Sequence, residues 1–171
     1  LTYGGLRGIS GEGSGVRSLQ SLFGKDSLFI LSIQDENKID YSSLAAQQVI
    51  VLSGLKSISS GLAQELNRFV RNGGSLVVFP SVETDTGSYK AFLSSLGTNF
   101  YLQRDTAGTK VDWVNFESEI FRDVFEKTGE NLDLPRVQGY YNQSHSGRTS
   151  EEVLLKMKNG NSFFSKFTCM K

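Results

Sequence analysis

The chain of 171 residues is long enough for one domain that buries roughly 70% of its unfolded surface, so no disulfide or metal is needed to hold a core. Eighteen basic residues balance eighteen acidic ones and neither sign is clustered, which argues against nucleic acid or another polyanion as partner. The single cysteine (Cys169) excludes a disulfide scaffold without assigning a compartment, His145 has no second ligand near it for a transition metal, and no apolar run approaches the ~20 residues of a membrane helix.

Residues 1–15, LTYGGLRGISGEGSG, hold six glycines and read as a flexible leader or as a weak first strand over 6–10. The turn at Gly11 and Gly13 does not complete G-x-G-x-x-G, and no G-K-[ST] follows, so a phosphate loop is not specified. Val16, Leu19, Leu22 and Phe23 fall at helical spacing with Gly24 as the stop. Residues 27–33, SLFILSI, make an apolar strand, 35–40 a polar loop, and 41–46 a short turn or helical piece.

Residues 47–81, QQVIVLSGLKSISSGLAQELNRFVRNGGSLVVFPS, read as one β–α–β unit. Strand 49–52 leads to a helix N-capped by Ser59 or Ser60, because a serine hydroxyl accepts an otherwise unpaired N–H of the first turn. Leu62, Leu66, Phe69 and Val70 form its apolar stripe, Asn72-Gly73-Gly74 its stop, and 76–79 the next strand, closed by Pro80. Two apolar strands joined by a helix imply a parallel sheet, and hence an α/β fold.

Residues 87–96 carry Tyr89, Phe92, Leu93 and Leu96 at helical spacing, stopped by Gly97. Strands are expected over 98–103 and 110–114 with a turn between them, a short helix or compact turn over 116–125, an extended stretch over 134–141 and a polar loop over 143–151. Segments 153–157 and 162–167 flank Asn159-Gly160-Asn161, a hairpin signal. The second half reads as an antiparallel extension of the same sheet, so residues 16–171 are taken as a single domain. Trp113, Phe116, Phe121 and Phe125 suit a core, whereas Tyr140-Tyr141 suit a partly exposed binding surface. Asn142-Gln143-Ser144 is a sequon that matters only in a glycosylating pathway.

In an open parallel sheet, ligands sit beyond the carboxyl ends of the strands. Here those ends make Ser53, Gly54, Ser81 and Glu83 the candidate binding residues. A serine nucleophile at Ser81 would need a glycine-flanked elbow and a histidine base. Its surroundings are F-P-S-V-E, and His145 lies far along the chain. Glu83 and Asp85 could act as paired carboxylates, but two acids in a loop also make an ordinary solvated turn, and a Mg²⁺ site asks for more oxygen ligands. No catalytic residue, cofactor or metal ligand is therefore assigned.

The run from Asp40 to Ser81, with LFGKDSLFIL (22–31), FRDVFE (121–126) and LLKMKNGNSFFSKF (154–167), resembles the class I glutamine-amidotransferase-like domain of BatA-type, aerotolerance-related membrane proteins. The resemblance covers most of residues 16–168. It implies a flavodoxin-like sheet, and a location as an extracytoplasmic (periplasmic) portion of a membrane-anchored bacterial envelope protein. True amidotransferases of this fold place a nucleophilic cysteine after a strand, with a downstream His-Glu pair. The comparable strand end here is V-V-F-P-S, with no Cys or His near it. The resemblance therefore implies a non-catalytic binding or scaffolding module, whose partner is another envelope protein or another part of its own polypeptide. The alternatives are a hydrolase using the Ser81–Glu83 loop and a small-ligand sensor. The resemblance further implies at least one more strand beyond Lys171, leaving 163–171 as an incompletely covered edge. The start at Leu1 reads as an excised piece of a longer protein.

Overall fold

The computed structural model describes residues 4–11, 14–25, 28–122, 124, 132–145 and 150–169. Contacts divide the chain into two units, one ending at Leu96 and the other formed by Gly97–Cys169.

The first unit is built on a four-stranded parallel sheet. Its strands are β1 (Gly4–Ser10), β2 (Phe29–Asp35), β3 (Val49–Ser53) and β4 (Ser75–Phe79), in the order β2-β1-β3-β4. Of the two readings of residues 1–15, Gly4–Ser10 takes the strand, and as an interior strand with Leu6 and Ile9 buried. Glycine richness hid this, because only four of its seven positions (Leu6, Arg7, Ile9, Ser10) carry a side chain.

Helix α1 (Ser14–Phe23) joins β1 to β2, a 3₁₀ turn (Tyr41–Ala46) joins β2 to β3, and α2 (Ser60–Arg71) joins β3 to β4. The chain steps one way across the sheet from β1 to β2, and the other way from β2 through β3 to β4. With right-handed crossovers, α1 lies on one face, and the 3₁₀ turn and α2 lie on the opposite face. Leu19 of α1 packs with Leu6 and Val51, joined by Phe29, Leu31, Val49 and Val77 from alternate positions of the sheet.

Ser59 is the N-cap of α2: its hydroxyl accepts the Leu62 N–H at 3.2 Å. Leu62, Leu66 and Phe69 are buried as the stripe requires, each contributing roughly 2 kcal/mol of apolar burial. The helix stops where Gly73 takes φ +95, and Gly74 must lack a side chain because a Cβ there would lie 2.2 Å from the Phe69 ring. Helix α3 (Thr86–Ser95) follows β4 and buries Tyr89, Phe92 and Leu93.

The second unit carries the antiparallel strands. β5 (Tyr101–Asp105) pairs with β8 (Tyr140–Gln143). β6 (Thr109–Val114) lies between β7 (Arg136–Val137) and β9 (Glu151–Met157), and β10 (Ser162–Phe167) closes a hairpin on β9. These strands satisfy one another in sheets of their own and do not lengthen the parallel sheet. Val111, Val137 and Met157 form their core.

The expectation that Trp113 belongs to that core is corrected. A register shift between Val111 and Trp113 breaks the alternation, so Asp112 and Trp113 are both exposed while Val111 and Val114 are buried. The Lys156 ammonium lies 4.5 Å from the centre of the Trp113 ring. Phe116 and Phe121 are half-buried, and Phe125 lies outside the described residues. Among the described residues no helix is long and apolar enough to cross a membrane.

Candidate functional site

The parallel register ends in one row: Asp35 beside Ser10, Ser10 beside Ser53, and Ser53 beside Phe79. The chain reverses direction between β1 and β3, so the point where a parallel sheet opens a crevice lies between the Ser10 and Ser53 ends. In this protein backbone fills that point. Gly11 N–H donates to Ser53 O at 3.1 Å, Gly54 N–H to Phe79 O at 2.9 Å, and Glu36 N–H to Ser10 O at 3.1 Å. Each chain leaving a strand thus satisfies the last carbonyl of a neighbouring strand.

Gly54 takes φ 72, and a Cβ on Gly11 would stand 2.4 Å from the Gly54 carbonyl oxygen, so the two turns touch backbone to backbone. Ser10 is buried and its hydroxyl donates to Gly11 O at 2.9 Å. The Asp35 carboxylate accepts the Asn37 N–H at 2.8 Å and the Asn37 amide at 3.0 Å; these bonds, the backbone one first, hold its pKa below the usual value.

The loop after β4 is tied to the loop after β3. Asp85 N–H donates to Lys56 O at 2.7 Å, Ile58 N–H to Ser88 Oγ at 3.2 Å, and the buried Tyr89 hydroxyl to Leu55 O at 2.9 Å. Within the loop, Ser81 Oγ accepts the Glu83 N–H at 3.2 Å, and the Thr84 hydroxyl donates to Ser81 O at 2.9 Å. Asp85 is the N-cap of α3, taking the Gly87 and Ser88 N–H groups. Glu83 pairs with Lys56 at 3.5 Å, both largely in water, so this pair contributes little to stability.

The structure therefore brings the Ser53–Gly54 loop and the Ser81–Glu83 loop together through backbone and through Lys56. No hydrogen bond among the described residues joins Ser53 to Ser81 or Glu83. The Glu83 and Asp85 carboxylates serve different partners, one an exposed lysine and the other a helix cap. Sequence reasoning missed the cap at Asp85, although an acid directly before a helical pattern is its ordinary signal.

The remaining candidates fall elsewhere. His145 is exposed after β8, and Cys169, the sole cysteine, is half-buried. Asn142 and Gln143 of the sequon lie in β8, and Ser144 exchanges hydrogen bonds with Phe100. Tyr140 and Tyr141 are half-buried, and the Tyr140 hydroxyl donates to Asp105 at 2.9 Å. Among the described residues no three His, Cys, Asp or Glu side chains gather as metal ligands.

A cleft of about 80 Å³ lies between the 3₁₀ turn and the end of α2, lined by Leu44, Gln47, Arg68 and Phe69 among others. It sits at the amino-terminal end of the strands and is too small for a metabolite-sized ligand.

No family model and no curated protein matches the sequence. Among solved structures the chain is similar to a ThuA-like protein from Bacteroides uniformis, with a TM-score of 0.64 and 15% identity over 89% of this chain and 66% of that one. The chain thus spans just under two-thirds of that protein's length. It is also similar to a GMP synthase subunit from Thermoplasma acidophilum, with a TM-score of 0.55 and 13% identity over 98% of this chain and 79% of that one. The fold is class I glutamine-amidotransferase-like: an α/β fold with a parallel sheet, flanking helices and added antiparallel strands.

Proposed function

We propose that this chain is a non-catalytic binding or scaffolding module on an amidotransferase-like fold, belonging to a membrane-anchored bacterial envelope protein and exposed outside the cytoplasm. Its partner is another envelope protein or another portion of its own polypeptide. One observation carries the reading: the polar side chains beyond β4, where chemistry would be sought, are committed to local structure. Ser81 accepts a turn N–H, and Asp85 caps a helix. Among the described residues no carboxylate or imidazole accepts a hydrogen bond from Ser81, as the base of a serine nucleophile would. The envelope setting is supported only by the resemblance of residues 40–81 and the shorter matching segments to BatA-type proteins.

The test compares the longer membrane-anchored protein with and without this domain, in pull-downs from envelope extract. A partner lost only on deletion of the domain is the expected result. Glutaminase or esterase turnover above background, abolished by Ser81→Ala, would overturn the reading in favour of a hydrolase centred on Ser81 and Glu83.

A further inference from the structure

The face of the parallel sheet opposite α1 is covered unevenly. Its positions are Arg7 and Ile9 on β1, Ile50 and Leu52 on β3, and Ile30, Ser32 and Gln34 on β2, with Arg7 beside Ser32 and Ile9 beside Gln34. Ile9, Ile50 and Leu52 are 0% exposed, whereas Ile30 on the same face is 63% exposed and Leu28, two residues before it, 62%. The connections explain the difference. The step from β3 to β4 supplies the twelve-residue α2, but the step from β2 to β3 supplies only the six-residue 3₁₀ turn. One half of this layer has its helix and the other half does not.

Arg7 stands at the border between these halves. Its Nε is buried with no acceptor to which it could donate, and among the described residues neither an ion pair nor a hydrogen bond engages its guanidinium. Arginine stays charged at any relevant pH, so a half-buried guanidinium without an anion costs folding free energy. Its planar fork matches a carboxylate.

We propose that the exposed part of this face, at Leu28 and at Ile30 of β2 near Arg7, receives an amphipathic helix of a partner protein. That helix presents an Asp or Glu to Arg7 and apolar side chains to Leu28 and Ile30. A strand added at the β2 edge would leave the face open, whereas a helix completes the layer. A second copy of the chain fits poorly, since Leu28, Ile30, Ser32 and Gln34 offer no carboxylate to answer Arg7. The inference rests on the reading of the chain as a binding module and names the chemistry of its partner.

The test pans a displayed library of three-turn amphipathic helical peptides against the whole chain. Selected peptides should carry Asp or Glu at one central position, with apolar residues three and four positions away. Arg7→Met should weaken them on the order of 30-fold or more, as expected for truncating one member of a buried charge pair. Ile30→Ser should weaken them too, and Ser81→Ala should not. Arg7→Met alone should melt no lower than the parent, because it removes a buried Nε that has no hydrogen-bond partner. Peptides lacking an acid, binding unchanged by Arg7→Met, or a dimer in sedimentation that Ile30→Ser disperses would each overturn the site. So would an Arg7→Met protein that melts well below the parent. None of these bears on the pull-down, where the same partners recovered with and without the domain would overturn the binding-module reading itself.

Discussion

The two units are held together by different chemistry. Up to Leu96, cohesion is apolar: Ile9, Ile50, Leu52, Leu66 and Tyr89 are 0% exposed, contributed by strands and helices with clear periodicity. From Gly97 onward, polar side chains take a large share. Glu151 accepts from Asn99 at 2.8 Å and from Ser165 at 2.7 Å, Glu152 pairs with Lys166 at 3.0 Å, and Asp105 accepts from Tyr140. Asn99 and Ser118 are among the buried polar residues of this unit. The first arrangement keeps its fully buried positions apolar, with Arg7 standing at the border of the covered layer. The second depends on charges that periodicity does not reveal.

Leu66→Asp should have the largest effect. It places a carboxylate at a 0% exposed position against the sheet, which costs both the lost apolar burial and the desolvation of the acid. A loss of about 4 kcal/mol or more in urea unfolding is expected. A variant that melts with the parent would mean that α2 does not dock on the sheet.

Glu151→Ala probes the other chemistry. It removes one acceptor of the buried Asn99 amide and the acceptor of the Ser165 hydroxyl, so about 1–3 kcal/mol should be lost. Glu151→Gln should recover part of this, because one amide oxygen still accepts. If Glu151→Ala proved neutral, the polar network would be ornament on an apolar core, and the contrast between the units would fall.

The same contrast sets what was legible beforehand. The stretch from Val49 to Phe79 was readable almost residue by residue, since apolar spacing, a serine cap and Asn72-Gly73-Gly74 all point to one β–α–β unit. β1 was ambiguous, because its burial depends on β2 and β3 lying either side of it and not on its own side chains. In the second unit the hairpin at Asn159-Gly160-Asn161 was visible from local turn chemistry. Which strand each of β5 and β6 pairs with was not, being decided by contacts dozens of residues away. The strand ends that carry the candidate residues were legible as positions in the fold. The uses of their side chains were not, since Ser81 in a turn and Asp85 on a cap look in sequence much like catalytic groups.

Acid should act on the second unit through its carboxylates. Hydrogen bonds from Ser118, then from Lys166, hold the Glu152 pKa below its ordinary 4.5. The Ala107 N–H, then the Tyr140 hydroxyl, hold Asp105 below its ordinary 3.8. A carboxyl group with a depressed pKa in the folded state stabilises the fold above its unfolded pKa, and that contribution fades as pH falls through the folded value. Stability should therefore decline as pH drops below about 4.5, less so in Glu152→Gln. Both groups are solvent-accessible, so raising the salt concentration should shrink the difference. A Glu152→Gln protein with the parent's full acid sensitivity would remove Glu152 from the account.

The smallest effect is a titration with no expected change in fold. The Asp105 carboxylate raises the Tyr140 pKa above its ordinary 10.0, mainly through the hydrogen bond the phenol donates to it, while Asn161, and then Asn159, which donates to the phenol oxygen at 2.7 Å, pull the other way. A raised pKa in the folded state means the bond stabilises fully below pH 10 and is lost as pH rises through the folded value. In Asp105→Asn the negative charge is gone and the raising contribution with it, so the phenolate of Tyr140 should appear at lower pH in an ultraviolet titration. In Asn159→Ala one of the two opposing donors is gone and Asn161 remains, so the phenolate should appear at slightly higher pH. Opposite shifts in the two variants identify a phenol held between a donor and an acceptor. Equal or absent shifts would mean that water has replaced one of the two, leaving the backbone pairing and the Tyr101–Tyr141 ring contact to join β5 and β8.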